Sequence, residues 1–166
     1  MGEIIDLYNE YRELTGETIE RGTQIPAGRY KLSVHMWVVN TAGEIYIQRR
    51  ASSRKIFPNY WENPGGGVVS GQDSQETLKK EFEEELGIVF EGKYKLIKTI
   101  RREKDFVDIY LVNQDFEICD LHLQDEEVSS ARWVSFDALE NMINGGEFCP
   151  TILDSFLPFV DYVKNM

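Results

Sequence analysis

Glu81, Glu84 and Glu85 stand at spacings i, i+3 and i+4 within Ser74 to Leu86, a stretch that reads as a helix stopped by Gly87. At about 100° per residue these three carboxylates fall on one face, within an arc of roughly 100°. Glu83 points the other way, into solvent. Leu78, Phe82 and Leu86 repeat at i, i+4 and i+8 as a separate apolar edge able to dock on a sheet. Like charges at these spacings cost about 0.2–0.5 kcal/mol per pair, and a nearby protein wall raises their pKa values unless a cation intervenes. A hard divalent ion resolves that conflict, because Mg²⁺ takes oxygen ligands while keeping several waters and substrate phosphates. Taken alone, the glutamates read more simply as a solvated acidic helix face.

The residues just upstream turn the balance toward chemistry. Gly65-Gly66-Gly67 precedes the helix, separated from it only by Val68-Val69-Ser70-Gly71-Gln72-Asp73. Glycines there let the backbone approach a ligand closely and adopt positive φ. A glycine loop, a short strand, a second turn at Gly71 and then a helix carrying three facing carboxylates form a far rarer arrangement than either part.

The rest of the chain supplies the elements that must hold these groups. Ile4 to Tyr8 could form a short strand, with turn-like Thr15-Gly16-Glu17 after it. Leu32 to Val39 and Glu44 to Arg49 flank Asn40-Thr41-Ala42-Gly43 and predict a hairpin. Residues 51–73 read as loop. Further strands are expected at Tyr94–Arg101, Val107–Asn113 and Ala131–Val134, and helices at Phe136–Ile143 and Thr151–Lys164. The order predicts an α+β fold, an α/β/α sandwich with a mixed sheet flanked by helices.

A length of 166 residues suits one domain, expected to span 1–166. A formal charge of −11 argues against a nucleic-acid polymer as partner, yet permits a small phosphorylated ligand beside a metal. No apolar stretch reaches the roughly 18–20 residues of a membrane span. With no signal-peptide pattern at the start, the cytoplasm is the expected location. Cys119 and Cys149 read as ordinary thiols.

These residues resemble the Nudix box: Gly, five residues, Glu, seven residues, then Arg-Glu-apolar-x-Glu-Glu-x-Gly-apolar. Gly66, Glu81, Phe82, Glu84, Glu85, Gly87 and Ile88 match it, whereas Gln72 stands for its first Glu and Lys80 for its Arg. In the family those two positions help orient the loop and helix; here they can hydrogen-bond but lose the planar charge pair. Gln48-Arg49-Arg50-Ala51, Lys55, Pro58 and Trp61 look like the superfamily branch that holds isopentenyl-diphosphate isomerases and their hydrolase relatives, and the likeness covers about residues 4–140. The isomerases carry a Cys and a metal-binding His after the Trp. Here that loop runs Glu62-Asn63-Pro64-Gly65-Gly66-Gly67-Val68, with neither, so isomerase activity is disfavoured.

The resemblance implies a metal-dependent hydrolase that cleaves a diphosphate linkage in a small nucleoside diphosphate derivative. A catalytically weakened nucleotide- or diphosphate-binding module is the alternative. Glu81, Glu84 and Glu85 would ligate Mg²⁺ or Mn²⁺, with the Gly66 carbonyl as an auxiliary ligand. The general base is Glu81, or else Glu126 or Glu127 in the loop before the strand with Trp133. Arg49, Arg50 and Lys55 are candidates to hold phosphates, and Phe57, Tyr60 and Trp61 to stack on a base. Trp37 and Trp133 read as core, and His35 as a satisfied structural histidine. The family's frequent dimers make a homodimer possible.

Overall fold

The computed structural model describes residues 2–166, so Met1, the first residue of the expected domain, lies outside the described residues. A two-stranded antiparallel ribbon, β1 (Ile4–Tyr8) and β2 (Leu14–Glu20), precedes a seven-stranded sheet. That sheet runs β5 (Trp61–Glu62), β4 (Ile45–Arg50), β3 (Lys31–Val39), β8 (Asp105–Asn113), β7 (Lys93–Arg101). In addition, β6 (Gly65–Gly67) pairs with β3 and β9 (Val128–Val134) pairs with β4. β3 and β8 run parallel from Lys31↔Asp105 to Val39↔Asn113, while the other ladders are antiparallel. The sheet is therefore mixed.

Alternation along β3 builds both layers of the core. Leu32, Val34, Met36 and Val38 turn toward α1 (Ser74–Leu86), where Leu78, Phe82 and Leu86 are fully buried. Burial of that size stabilises by about 1.5–3 kcal/mol per side chain. Trp37 faces the opposite layer, with its ring centroid 4.8 Å from that of Phe159. There α2 (Phe136–Asn144) contributes Leu139 and Met142, and α3 (Leu153–Lys164) contributes Phe156, Phe159 and Val160. Helices thus cover both faces, the expected α+β sandwich. Among the described residues no helix is long and apolar enough to cross a membrane.

Both ends of α1 follow from local chemistry. The Asp73 carboxylate accepts from the Glu76 amide at 2.8 Å, and the Glu76 carboxylate accepts from the Asp73 amide at 3.0 Å, a reciprocal cap. Gly87 closes the helix at φ 71°, donating its N–H to Glu83 O.

Two expectations are corrected, and a third, the hairpin, holds at its turn. Thr15-Gly16-Glu17 is not a turn but part of β2, a strand so exposed that no buried face marks it in the sequence. The 51–73 loop contains β5 and β6, both too short to show a period, and β6 is made of glycine alone. The hairpin of β3 and β4 pairs at the single register position Val39↔Ile45. Beyond it the two strands splay, and Trp61 to Gly67 fills the wedge, β5 on β4 and β6 on β3.

Candidate active site

The wedge brings the glycine run against the acidic face of α1. Ser33, Val34 and His35 of β3 pair with Gly67, Gly66 and Gly65, so the run is held by backbone ladder bonds. The Gly65 amide donates to the Glu85 carboxylate at 2.9 Å. Gly66 lies so close to Glu81 that a Cβ added there would collide with the Glu81 carboxyl carbon. Any side chain there would push the Glu81 carboxylate off the turn, so the present approach relies on glycine.

Enclosure makes negative charge costly on this face. Burial pushes the Glu81 carboxyl up to about 7, and the neighbouring Glu84 charge adds to the rise while Lys80 opposes it. Burial raises Glu85 well above the usual carboxylate range, reinforced by Glu62 and Glu81 and opposed by the Gly65 hydrogen bond. Glu84 itself stays exposed beside Glu81. Two of the three glutamates therefore meet the glycine turn, and the third flanks them.

Glu62, which the sequence reading passed over, joins this group. Its carboxylate accepts from Arg50 Nη1 at 2.6 Å, with both side chains largely buried. Burial raises its pKa, with Arg50 lowering it and Glu127 raising it. Glu127 is exposed in the turn before β9, and its charge reaches both Glu62 and Glu85. Its backbone carbonyl accepts from the Ala51 amide at 2.9 Å, while Glu126 O accepts from Ser53 Oγ at 3.2 Å.

The expected phosphate and base contacts divide. Arg50 is committed to the fold as well as to Glu62, since Nε and Nη2 donate to Ile56 O at 3.1 and 2.8 Å. Arg49 donates from Nε to Asn59 O at 2.9 Å, remains exposed, and lines a cleft with Tyr60, Trp61 and Glu147. Lys55 is exposed on the 51–60 loop. Trp61 is only 9% exposed, part of the core, with the Arg132 guanidinium 4.4 Å from its ring centroid. Little of its face is open to a base. Tyr60 and Phe57 pack edge to face at 5.7 Å and are half-buried.

With the two box departures, a different anchor holds the loop. Gln72 reaches only Thr77 Oγ1, at 3.5 Å, too long for a firm hydrogen bond. In its place the Asp6 carboxylate of β1 accepts from Ser70 Oγ at 2.7 Å and from the Gly71 amide at 3.1 Å. Ser70 N also donates to Ile4 O at 2.8 Å.

Residues 29–151 match the family model described as the NUDIX domain. The chain belongs to the Nudix family. Over 147 residues it is 37% identical to an uncharacterized Nudix hydrolase of Listeria monocytogenes, covering 87% of each chain. Isopentenyl-diphosphate Delta-isomerase 1 of Photorhabdus laumondii is 27% identical over 124 residues, covering 68% of this chain and 69% of that one. A crystal structure from Deinococcus radiodurans superposes with a TM-score of 0.76 at 26% identity, covering 94% of this chain and 97% of the other.

A Nudix site works with divalent metal, and the donor set here suits a hard cation: carboxylates and backbone carbonyls, with no thiol or imidazole among them. Among the described residues no three acidic, His or Cys groups are gathered closely enough to cage an ion unaided. An ion that completes its shell with water and substrate oxygens matches that arrangement. Glu81 and Glu85, raised first by burial and then by neighbouring carboxylates, are the groups a cation would relieve.

Next to the glycine run this Nudix domain opens a recess of about 220 Å³, lined by Ser33, His35, Arg50, Glu62, Asn63 and Thr151 among others. His35 is not the satisfied histidine expected from the sequence. Its Nδ1 is enclosed without a hydrogen-bond partner, and burial lowers its pKa to about 4, so the ring is neutral at pH 7. Periodicity places His35 on a strand, but only the splay of β3 from β4 shows that its face opens into a recess.

Proposed function

We propose that this chain, acting as one Nudix domain over residues 1–166, is a metal-dependent pyrophosphohydrolase that cleaves a diphosphate linkage in a small nucleoside diphosphate derivative. The observation that carries this reading is the convergence of Glu81 and Glu85 on the Gly65–Gly67 turn. Glu81, Glu84, Glu85 and the Gly66 carbonyl would hold the Mg²⁺ or Mn²⁺. Such an ion, when bound, neutralises diphosphate charge and acidifies an attacking water.

The chain's own groups do the remaining work. Glu85 is oriented by the Gly65 amide, so its carboxylate is fixed before substrate arrives. Glu81, which a bound cation would keep ionised beside the glycine turn, is the first candidate for general base. Glu127, whose charge reaches both Glu62 and Glu85, is the second candidate. Arg49 and Lys55, exposed on the loop side, supply positive charge for phosphate oxygens. The isomerase relative shares the fold branch, but the loop after Trp61 lacks the Cys and His on which alkene protonation would depend.

The test is a panel of nucleoside diphosphate derivatives assayed with Mg²⁺, Mn²⁺ and chelator. Metal-dependent release of phosphate or a nucleoside monophosphate, abolished in Glu84→Gln, is the expected result. No turnover across the panel overturns it. The weak Gln72 contact favours one second reading, a module that binds nucleotide without cleaving it. That reading expects nucleotide-dependent thermal stabilisation without product.

A further inference from the structure

Arg21 directly follows the ribbon strand β2, and its N–H donates to Glu3 O at 2.8 Å, so the ribbon fixes its backbone. Its guanidinium lies over Gly67: a Cβ added at that glycine would stand 2.5 Å from Nη2 and 3.4 Å from Cζ. Gly66 and Gly67 are successive residues of one strand, so the places their side chains would take lie on opposite faces. Glu81 fills the first place and Arg21 the second. The turn is thus flanked by the acidic face of α1 on one side and a guanidinium on the other, and the Arg21 charge reaches the Glu81 carboxyl.

Arg21 borders a small pocket of about 110 Å³ whose wall also includes Lys31, Ser33 and Gly67. Ser33 and Gly67 belong equally to the wall of the larger recess, so the two spaces adjoin. A pocket of this size falls below the roughly 300–1,000 Å³ that holds a drug-sized ligand, and suits a single group. Two cations and a hydroxyl beside a backbone turn favour an anionic one. Lys31 is exposed, and its charge also reaches Asp105. Arg50, by contrast, is spent on Glu62 and Ile56 O. The ion-pair partner of Arg21 is Glu3, and the two side chains are 46% and 51% exposed. Half-exposed pairs hold weakly, so a phosphate, with more charge and more acceptor oxygens, displaces Glu3. Resting on the hydrolase reading above, we infer that Arg21 is a phosphate-binding residue, whose guanidinium leaves Glu3 to take the substrate phosphate that enters the pocket between Gly67 and Lys31. Glu3 is the latch that keeps the guanidinium over the turn until then. The ribbon, which lies outside the residues 29–151 that match the family model, becomes part of the active site.

Two measurements decide it, and both use substitutions at half-exposed side chains that leave the core untouched. The first is a kinetic cycle in Mg²⁺ on the compound turned over fastest in the panel above. Arg21→Gln is expected to raise KM about tenfold or more, with a smaller change in kcat, as loss of a charged hydrogen bond to substrate requires. Glu3→Gln is expected to lower KM about two- to fivefold in the wild-type background, by freeing the guanidinium, and to have no effect once Arg21 is Gln. An unchanged KM in Arg21→Gln, or an equal effect of Glu3→Gln in both backgrounds, overturns the inference while leaving the hydrolase reading intact. The second needs no turnover. Methylenediphosphonate, whose P–C–P bridge water does not cleave, is titrated by calorimetry into each protein with Mg²⁺. Its affinity should fall about tenfold or more in Arg21→Gln and rise in Glu3→Gln. Equal affinities in all three proteins overturn the inference, even if the hydrolase panel succeeds. A panel without turnover, with diphosphonate affinity still dependent on Arg21, removes the hydrolase reading and keeps the phosphate contact.

Discussion

Asp6, on the first strand, holds the Ser70 hydroxyl at 2.7 Å and the Gly71 amide at 3.1 Å, and so ties the N-terminal ribbon to the loop that launches the acidic helix. The loop lacks the charge pair that the family places between the positions of Gln72 and Lys80. Removing the anchor in Asp6→Ala deletes two hydrogen bonds to a carboxylate, a loss of about 1–3 kcal/mol. A chain of this size should then melt about 2–12 °C lower by calorimetry. Restoring the family's pair in the double variant Gln72→Glu, Lys80→Arg should recover part of that loss. An unchanged melting temperature in Asp6→Ala would show that the contact contributes nothing.

Gly66→Ala places a methyl group where the Glu81 carboxylate now lies. The fold tolerates a displaced, half-buried Glu81, but the site does not, because misplacement of about 1 Å costs about 10²-fold in rate. Diphosphate hydrolysis should drop about 100-fold or more in kcat with the far-ultraviolet dichroism unchanged. Wild-type kcat in this variant would remove Glu81 from the reacting geometry.

Glu85→Gln separates stability from activity. The side-chain oxygen of Gln can still accept from the Gly65 amide, while the charge that burial, Glu62 and Glu81 all disfavour disappears. In chelator the variant should melt higher than wild type at pH 8, and with Mg²⁺ it should lose nearly all turnover. Lower stability in chelator would contradict the repulsion described here.

The raised Glu81 carboxyl fixes the sign of a pH effect. Its folded value, about 7, lies above the unfolded one, so its contribution is fully present below the ordinary carboxylate range and is lost as pH rises through 7. Metal-free protein should therefore lose stability between about pH 4.5 and 8, and the slope should be shallower in Glu81→Gln. Added Mg²⁺ should flatten the wild-type slope by pairing with the ionised form. Parallel wild-type and Glu81→Gln curves in chelator would place the titration elsewhere.

Much of this architecture was legible in residue order. The period of Leu78, Phe82 and Leu86 gave the buried edge of α1, Gly87 its end, and the spacing of Glu81 and Glu85 their common direction. Three things were not. The ribbon strand β2 has no buried face, so no alternation announces it. Glu62 sits between an aromatic residue and a proline in a span that reads as loop, and its importance arises only when β3 and β4 part. Arg50 and Trp61 looked free for substrate because a sequence does not reveal that Ile56 O and Glu62 already engage the one, or that the core encloses the other.

The seven residues from Trp61 to Gly67 serve opposite layers of the molecule at once. Trp61 packs into the layer beneath α3, near Phe148, whereas Gly65 and Gly66 touch the glutamates of α1 on the other side. Thinning the distant layer, as in Phe148→Ala, therefore loosens a short lever whose other end carries the reacting groups. Catalytic rate should track the tightness of aromatic packing in the layer opposite the acidic helix.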